Sequence, residues 1–531
     1  MSINYKGIDY YMEEKNKTSR TENFVKNATF GVVLQLFSLI LSFIVRTVFI
    51  KCLSNDYLSI NGLFSNIINT LSFIELGFGT ALIYMLYKPV AEANVEKIKT
   101  ITKYYKKVFT IIGILMFVIG LSIIPILKYI IKDPPMIDEN LNIIYIVFLI
   151  NTCFSYFFSH KMAVINAHQQ NYKIIICNQI AKTVQCIIQI LVLVMLRNYM
   201  LYLGIQFICT IFNYILINIQ ANKMYPYLKD KNVIDMEEND KKEIKNKVKS
   251  LILYRLEPTL LNNSDNIIIS SFLGVSFVGI YSNYYLITNY LYLFINQITN
   301  SLETSIGNLN ATSDKKNKEE TFYKVLFLCF FIYGITCVLL MGLINDFINI
   351  WIGKEYLFSN FVVFTIILSI YINGVHFPCY SFRTTSGLFE KTKLVPLIEV
   401  IINIVISIIL AKYMGVAGVF LGTSLSKLLT FFWTDPKLLY ENMFEKKHIK
   451  KYYYKYIYYF FVTSLVGTIV FIISKFIPTS NYFMIIIKFI VLGIVTLLMF
   501  IGLTVKTNEY KAFSIIVKQK LLDNIIKKFR R

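Results

Sequence analysis

The chain is short of the residues that most enzymatic and metal chemistry requires. Its four histidines, His160, His168, His376 and His448, include no i, i+4 pair with a carboxylate between, so the helical zinc pattern is missing. Its eight cysteines (Cys52, Cys153, Cys177, Cys186, Cys209, Cys329, Cys337, Cys379) form no C-x-x-C pair. Nearly all of them fall inside apolar runs, which reads as small core residues rather than disulfides or metal ligands. Acid is scarce too: 32 Asp and Glu stand against 54 Lys and Arg, a formal net charge of +22. No cleavable signal segment is expected, because the first apolar run, Thr29 to Ile50, is too long and many others follow. The gaps on one side of the apolar runs are short, the longest being Lys128 to Asn140 and Asp346 to Phe358. They leave no external domain to hold an active site.

What is present is apolar. Of 531 residues, 56% are hydrophobic and 16% aromatic, which excludes a soluble globular protein. Fourteen apolar spans follow one another: Thr29–Ile50, Ile60–Met85, Val108–Leu127, Leu141–Phe158, Ile174–Leu196, Tyr199–Ile219, Leu251–Phe272, Ile280–Ile298, Val325–Ile344, Phe361–Phe377, Leu394–Tyr413, Val416–Phe432, Tyr456–Ser474 and Phe483–Val505. About 42 of the Lys and Arg lie in alternate gaps and the two tails, and about 7 in the other gaps, the positive-inside pattern of a multi-spanning protein. An even number of spans then puts both termini in the cytoplasm. Because topology accounts for the charge, nucleic acid is not an expected partner. Met12 is read as a plausible true start. The run Lys450 to Tyr456 is read as an interfacial aromatic and basic belt rather than a stacking platform for bases.

The seventh span sets the central problem. Tyr254 to Asn266 looks like membrane-spanning helix yet carries Arg255, Glu257 and Asp265. Each such charge costs about 2.5–3.5 kcal/mol at mid-helix, whereas each Leu, Ile or Phe returns about 0.3–0.6 kcal/mol. The polar face must therefore look into a bundle or a water-filled cavity, and its residues are functional candidates. On a helical projection Arg255, Thr259, Asn262 and Asn266 share a stripe, with Glu257 nearly opposite. Pro258 frees the Tyr254 carbonyl, so a kink or a helix start is expected there.

The other intramembrane charges are Arg46, Glu75, Lys182, Glu399, Lys427 and Lys488. Lys488 is expected to snorkel to the outer surface, and Arg46 either snorkels or joins the buried cations. Glu75 sits deep among glycines that permit close packing or a bend. Arg255, Lys182 and Lys427, with Arg46 and Asn262, suit an anionic ligand such as a phosphate or pyrophosphate. Asp265, Glu257 and Glu75 either balance those cations or bind a coupling Na⁺ or H⁺. No metal site, catalytic residue or other cofactor is expected, so the chain is not read as an enzyme.

An internal repeat is faint. Gly62-Leu63-Phe64-Ser65-Asn66 and Gly279-Ile280-Tyr281-Ser282-Asn283 open equivalent spans 217 residues apart, and His160 and His376 end equivalent spans at nearly that offset. Six spans separate equivalents, so the halves share an orientation. The expected organisation is an N-terminal tail (1–23), an N-lobe of six helices (24–220), a linker (221–250), a C-lobe of six helices (251–440), two further helices (441–505) and a basic tail (506–531). The fold class is an all-α integral membrane protein of about 14 transmembrane helices in two parallel pseudo-repeat lobes.

At Arg383-Thr384-Thr385-Ser386-Gly387-Leu388-Phe389-Glu390-Lys391, Pro396-Leu397-Ile398-Glu399, Asn403, Ser407 and Gly415 to Thr423, the chain resembles Wzx-type polysaccharide flippases of the MOP superfamily. Leu71 to Ala81, followed by Tyr87-Lys88-Pro89, looks like that family's second helix and its exit. The resemblance implies a V-shaped, MATE-like pair of lobes that rock between inward- and outward-open states. It also implies a cationic cavity for a polyprenyl-pyrophosphate-linked oligosaccharide. The implied location is the bacterial inner membrane, and the implied partners are membrane lipids, a polysaccharide polymerase and export machinery. Two other readings stand beside it. A MATE-like cation-coupled drug exporter would favour a net-acidic cavity, and a membrane polymerase or ligase would be expected to use a large charged outer loop.

Overall fold

An apolar run in lipid has no water for its peptide groups, so it satisfies them within one helix. The computed structural model follows that rule. It describes residues 20–515 except 76–77, 231–232 and 393, together with most but not all side chains of its helices. The helices are α1 (Arg20–Cys52), α2 (Asn55–Leu71), α3 (Phe78–Ala91), α4 (Val95–Ile123), the one-turn α5 (Leu127–Ile130), α6 (Leu141–Tyr156), α7 (Ser159–Ala167), α8 (Asn171–Leu196), α9 (Tyr199–Met224), α10 (Glu238–Phe272), α11 (Val275–Thr312), α12 (Lys315–Ile352), α13 (Asn360–Thr385), α14 (Val395–Met414), α15 (Val416–Leu429), α16 (Phe431–Asn442), α17 (Ile449–Phe476) and α18 (Tyr482–Thr504).

Ten helices among the described residues are long and apolar enough to cross a membrane, or eleven if the bent pair α6 and α7 counts as one span. The remaining apolar spans also lie on helix. One is divided between α2 and α3, one lies in the charged α10, and one lies in α11. Large apolar side chains point outward along these elements, among them Ile187, Leu191 and Val194 on α8 and Ile490, Ile494 and Leu498 on α18. Such a surface fits hydrocarbon and not water, and the protein is a multi-pass membrane protein.

The helix ends have local causes. Arg197 adopts the left-handed conformation (φ 49°) and ends α8, and the Asn198 side chain then accepts from the Leu201 amide at 2.8 Å to start α9. Gly415 at φ 59° separates α14 from α15. Ser72 to Glu75 form a 3₁₀ turn between α2 and α3. Pro258, by contrast, starts no helix: α10 runs through it. A proline removes one bond of the ladder, and the turns on either side hold the rest in place.

The chain forms two compact units, 1–279 and 280–531. In the first, α1 lies along α8, α8 along α9, α4 against α6 and α7, and α10 against α2 and α3. Phe64, Tyr145 and Leu149 are among its sealed core residues. In the second, α12 is central and contacts α13, α17 and α18, while α14 and α15 form a close hairpin. Tyr459 of α17 stacks on Phe330 of α12 with ring centroids 4.3 Å apart.

Two expectations about this second unit change. Lys488 does not snorkel: it is 3% exposed and bonds Asp346 of α12, because a carboxylate in reach holds the ammonium inward. The aromatic belt is divided. Tyr454 is exposed, but Tyr452 and Tyr456 are core residues, since helical periodicity turns residues four apart to the same inward face.

Candidate functional site

A polar seam runs inside the first unit between α1 and α8. Ser38, Ser42 and Arg46 recur every fourth residue on α1, one face of a helix. Opposite them Gln179 and Lys182 share a face of α8. The Ser38 hydroxyl donates to Gln179 Oε1, and the Lys182 ammonium donates to Ser42 Oγ at 3.1 Å. Arg46, one turn beyond Ser42, is near enough to Tyr202 of α9 for the two to interact electrostatically. Further along α8 the Gln189 amide donates to the Tyr202 carbonyl at 3.1 Å. Two cations expected from sequence, Arg46 and Lys182, are thus carried on one seam between membrane-spanning helices. The partner of Lys182 at that contact is a neutral hydroxyl rather than a carboxylate.

Glu75 belongs to a different part of the same unit. It accepts a hydrogen bond from the Tyr156 hydroxyl and lies near Tyr105 and Tyr214. Its carboxylate thus lies among phenol side chains carried by α4, α6 and α9. Asp265 and Asn266 are buried on α10, which packs on α2 and α3, and the Asn266 side-chain oxygen has no hydrogen-bond partner. Arg255, Glu257 and Asn262 also fall on α10, but their side chains lie outside the described residues.

In the second unit Lys427 of α15 donates to Asn373 Oδ1 at 2.9 Å and stands 3.8 Å from the Glu399 carboxylate. Glu399, on α14, is 1% exposed. This cation comes already balanced, unlike Lys182.

A buried ionic cluster in the same unit was not anticipated. Arg383 on α13 donates to Asp435 Oδ1 on α16 at 2.7 Å, and the His376 ring nitrogen Nε2 lies 2.9 Å from Asp435 Oδ2. The Arg383 guanidinium also covers the Phe431 ring at 4.6 Å. Two signals were present in the sequence. His376 and Arg383 are seven residues apart, two helical turns, and Asp435 is the lone acid between Phe431 and Tyr440. Among the described residues, no three His, Cys, Asp or Glu are placed to hold a metal ion.

The comparisons agree with this architecture. The chain is similar in fold to the lipid II flippase MurJ in an inward closed conformation, at 15% identity and a TM-score of 0.63, covering 89% of this chain and 98% of that one. It is similar also to an inward-facing multidrug resistance MATE family transporter of the MOP superfamily, at 13% identity and 0.59, over 80% and 99% of the two chains. A mutant of the Vibrio cholerae MATE transporter VcmN gives 12% and 0.54, over 79% and 96%. At these identities the likeness shows the fold alone. No curated protein matches the sequence. The family model for polysaccharide biosynthesis proteins matches residues 24–302, just over half of the chain. The all-α MOP-type architecture expected from the motifs at Leu71–Ala81 and Arg383–Thr423 therefore holds, and the chain belongs to the polysaccharide biosynthesis protein family.

Proposed function

We propose that the protein is a flippase that carries undecaprenyl-pyrophosphate-linked oligosaccharide repeat units across the bacterial inner membrane by alternating access. The observation that carries this reading is the α1–α8 seam, where Lys182 donates to the neutral Ser42 hydroxyl, one turn from Arg46 along α1, inside membrane-spanning helices. A pyrophosphate needs desolvated cations with free donors, and Arg and Lys supply them in complementary ways. The family supports the polysaccharide context, and the first structural neighbour is itself a lipid II flippase. In this reading Arg255, Asn262 and Lys427 are further substrate-binding residues. Glu75, Glu257 and Asp265 serve charge balance or coupling to Na⁺ or H⁺. Both termini face the cytoplasm, and polymerase and export machinery are the downstream partners. A cation-rich seam disfavours a cationic-drug exporter.

The test is complementation of surface polysaccharide in a strain lacking the gene. Arg255→Ala and Lys182→Ala are each expected to abolish translocation while the protein stays in the membrane at wild-type level. Wild-type polysaccharide in both mutants would reject the assignment.

A further inference from the structure

The basic end of the first unit holds a cavity of about 600 Å³ to which neither α1 nor α8 contributes. Lys106 of α4, His160 and Lys161 of α7, Asn218 of α9 and Lys229 beyond it line this cavity. Two further lysines in its wall are already neutralised. Lys99 pairs with Glu96 at 2.6 Å and Asp230 at 2.9 Å, and Lys103 pairs with Asp235 at 2.8 Å. Lys103 holds the Asp235 carboxyl below its usual range. Among the described residues, no carboxylate lies within ion-pair distance of Lys106, Lys161 or Lys229. Lys161 donates only to the neutral Asn222 Oδ1, at 2.9 Å, and feels both Lys106 and Lys229 as neighbouring like charges. His160 is 8% exposed, and its Nδ1 has no hydrogen-bond partner. Like charges converging on a concavity beside a buried, unsatisfied ring nitrogen cost free energy that a bound anion would offset.

The second unit shows how the same problem is solved internally. The 217-residue offset of the repeat maps Asp435 onto Asn218, and His376 to within one residue of His160. In the second unit Asp435 supplies the negative charge, held by His376 and Arg383. In the first unit the equivalent position is a neutral amide whose nitrogen is spent on the Tyr214 carbonyl at 2.9 Å. The built-in anion of one repeat is absent from the other, while the surrounding positive charge has grown.

We propose that this cavity binds a phosphoryl anion, held by Lys106, Lys161 and Lys229 together with His160. Its chemistry is shared by the headgroup of an anionic phospholipid and by a soluble phosphate. The site stands whether or not the chain moves a lipid-linked sugar.

The test uses the purified full-length protein in two arms. Calorimetric titration with inorganic pyrophosphate reads the soluble anion, and native mass spectrometry with phosphatidylglycerol reads the headgroup. Replacing all three lysines by glutamine (Lys106→Gln, Lys161→Gln, Lys229→Gln) is expected to weaken binding at least about tenfold in one arm or both, and the affected arm names the source. The three corresponding Lys→Arg substitutions keep the charge and are expected to keep the affinity, which separates a lost site from a damaged fold. Lys475→Gln, at an exposed position of α17 in the other unit, is expected to leave both arms unchanged. Equal affinity of wild type and the glutamine variant in both arms, no wild-type binding in either, or an equal loss in the arginine variant would overturn the proposal.

Discussion

Arg383 and Asp435, on different helices of the second unit, meet through a 2.7 Å hydrogen bond with side chains only 2% and 0% exposed. The carboxylate also faces His376 at 2.9 Å, so three polar groups from α13 and α16 share one sealed site. Removing Asp435 strands a buried guanidinium, whereas an isosteric amide retains one acceptor. Asp435→Ala is expected to destabilise the protein by about 3–5 kcal/mol, and Asp435→Asn by less. Thermal unfolding in detergent, followed by loss of monodispersity, checks the order. An alanine variant that melts with the wild type would contradict it.

Lys182 offers the complementary case, a cation held by a hydroxyl at 3.1 Å. Since no buried carboxylate is orphaned at that contact, Lys182→Gln is expected to leave the melting temperature nearly unchanged. Transport is expected to fall by about tenfold or more, the worth of one charge-assisted contact. Ser42→Ala, which removes only the supporting oxygen, is expected to have a smaller effect in the same assay.

The α14–α15 hairpin depends on backbone proximity. A Cβ on Gly418 would stand 2.2 Å from the Leu410 carbonyl oxygen, and one on Gly422 would stand 2.7 Å from backbone atoms of Ser407. Neither helix can yield without breaking its own ladder. Gly418→Ala and Gly422→Ala are each expected to cost about 1–3 kcal/mol, with Gly418→Val worse, read as folded yield in membranes. Gly493→Ala, where nothing lies within 4 Å, is the neutral control.

Lys488 and Asp346 tie α18 to α12. Lys488→Met is expected to destabilise, because it leaves the Asp346 carboxylate, 32% exposed, without its cation. Adding Asp346→Leu to that change is expected to recover most of the loss, a coupling that a double-mutant cycle on unfolding midpoints reads directly. Additive losses would show that the pair does not act as a unit.

Much of the architecture was legible because lipid leaves the backbone few choices. The apolar runs lie on helix, the caps at Asn198 and Ser359 fall where the runs begin, and the motifs around Glu75 and Arg383 pointed to the right family. Lys182 and Arg46 were legible as candidates for the same reason: an uncompensated charge in an apolar run stands out. The cluster of Lys106, Lys161 and Lys229 was not legible, because its members lie far apart along the chain.

By itself the sequence determined an all-helical membrane protein, where its helices run and which charges need explaining, since period and hydropathy are local properties. Only the tertiary structure decided the fate of each charge. Lys488 was expected to reach water and instead meets Asp346, Lys427 is balanced by Glu399, and Asp435 closes on Arg383 and His376, while Lys182 is met at its Ser42 contact by a neutral hydroxyl. The reason is physical: the free energy of a buried charge depends on what stands within a few ångströms of it, and helix packing, not chain order, chooses that neighbour.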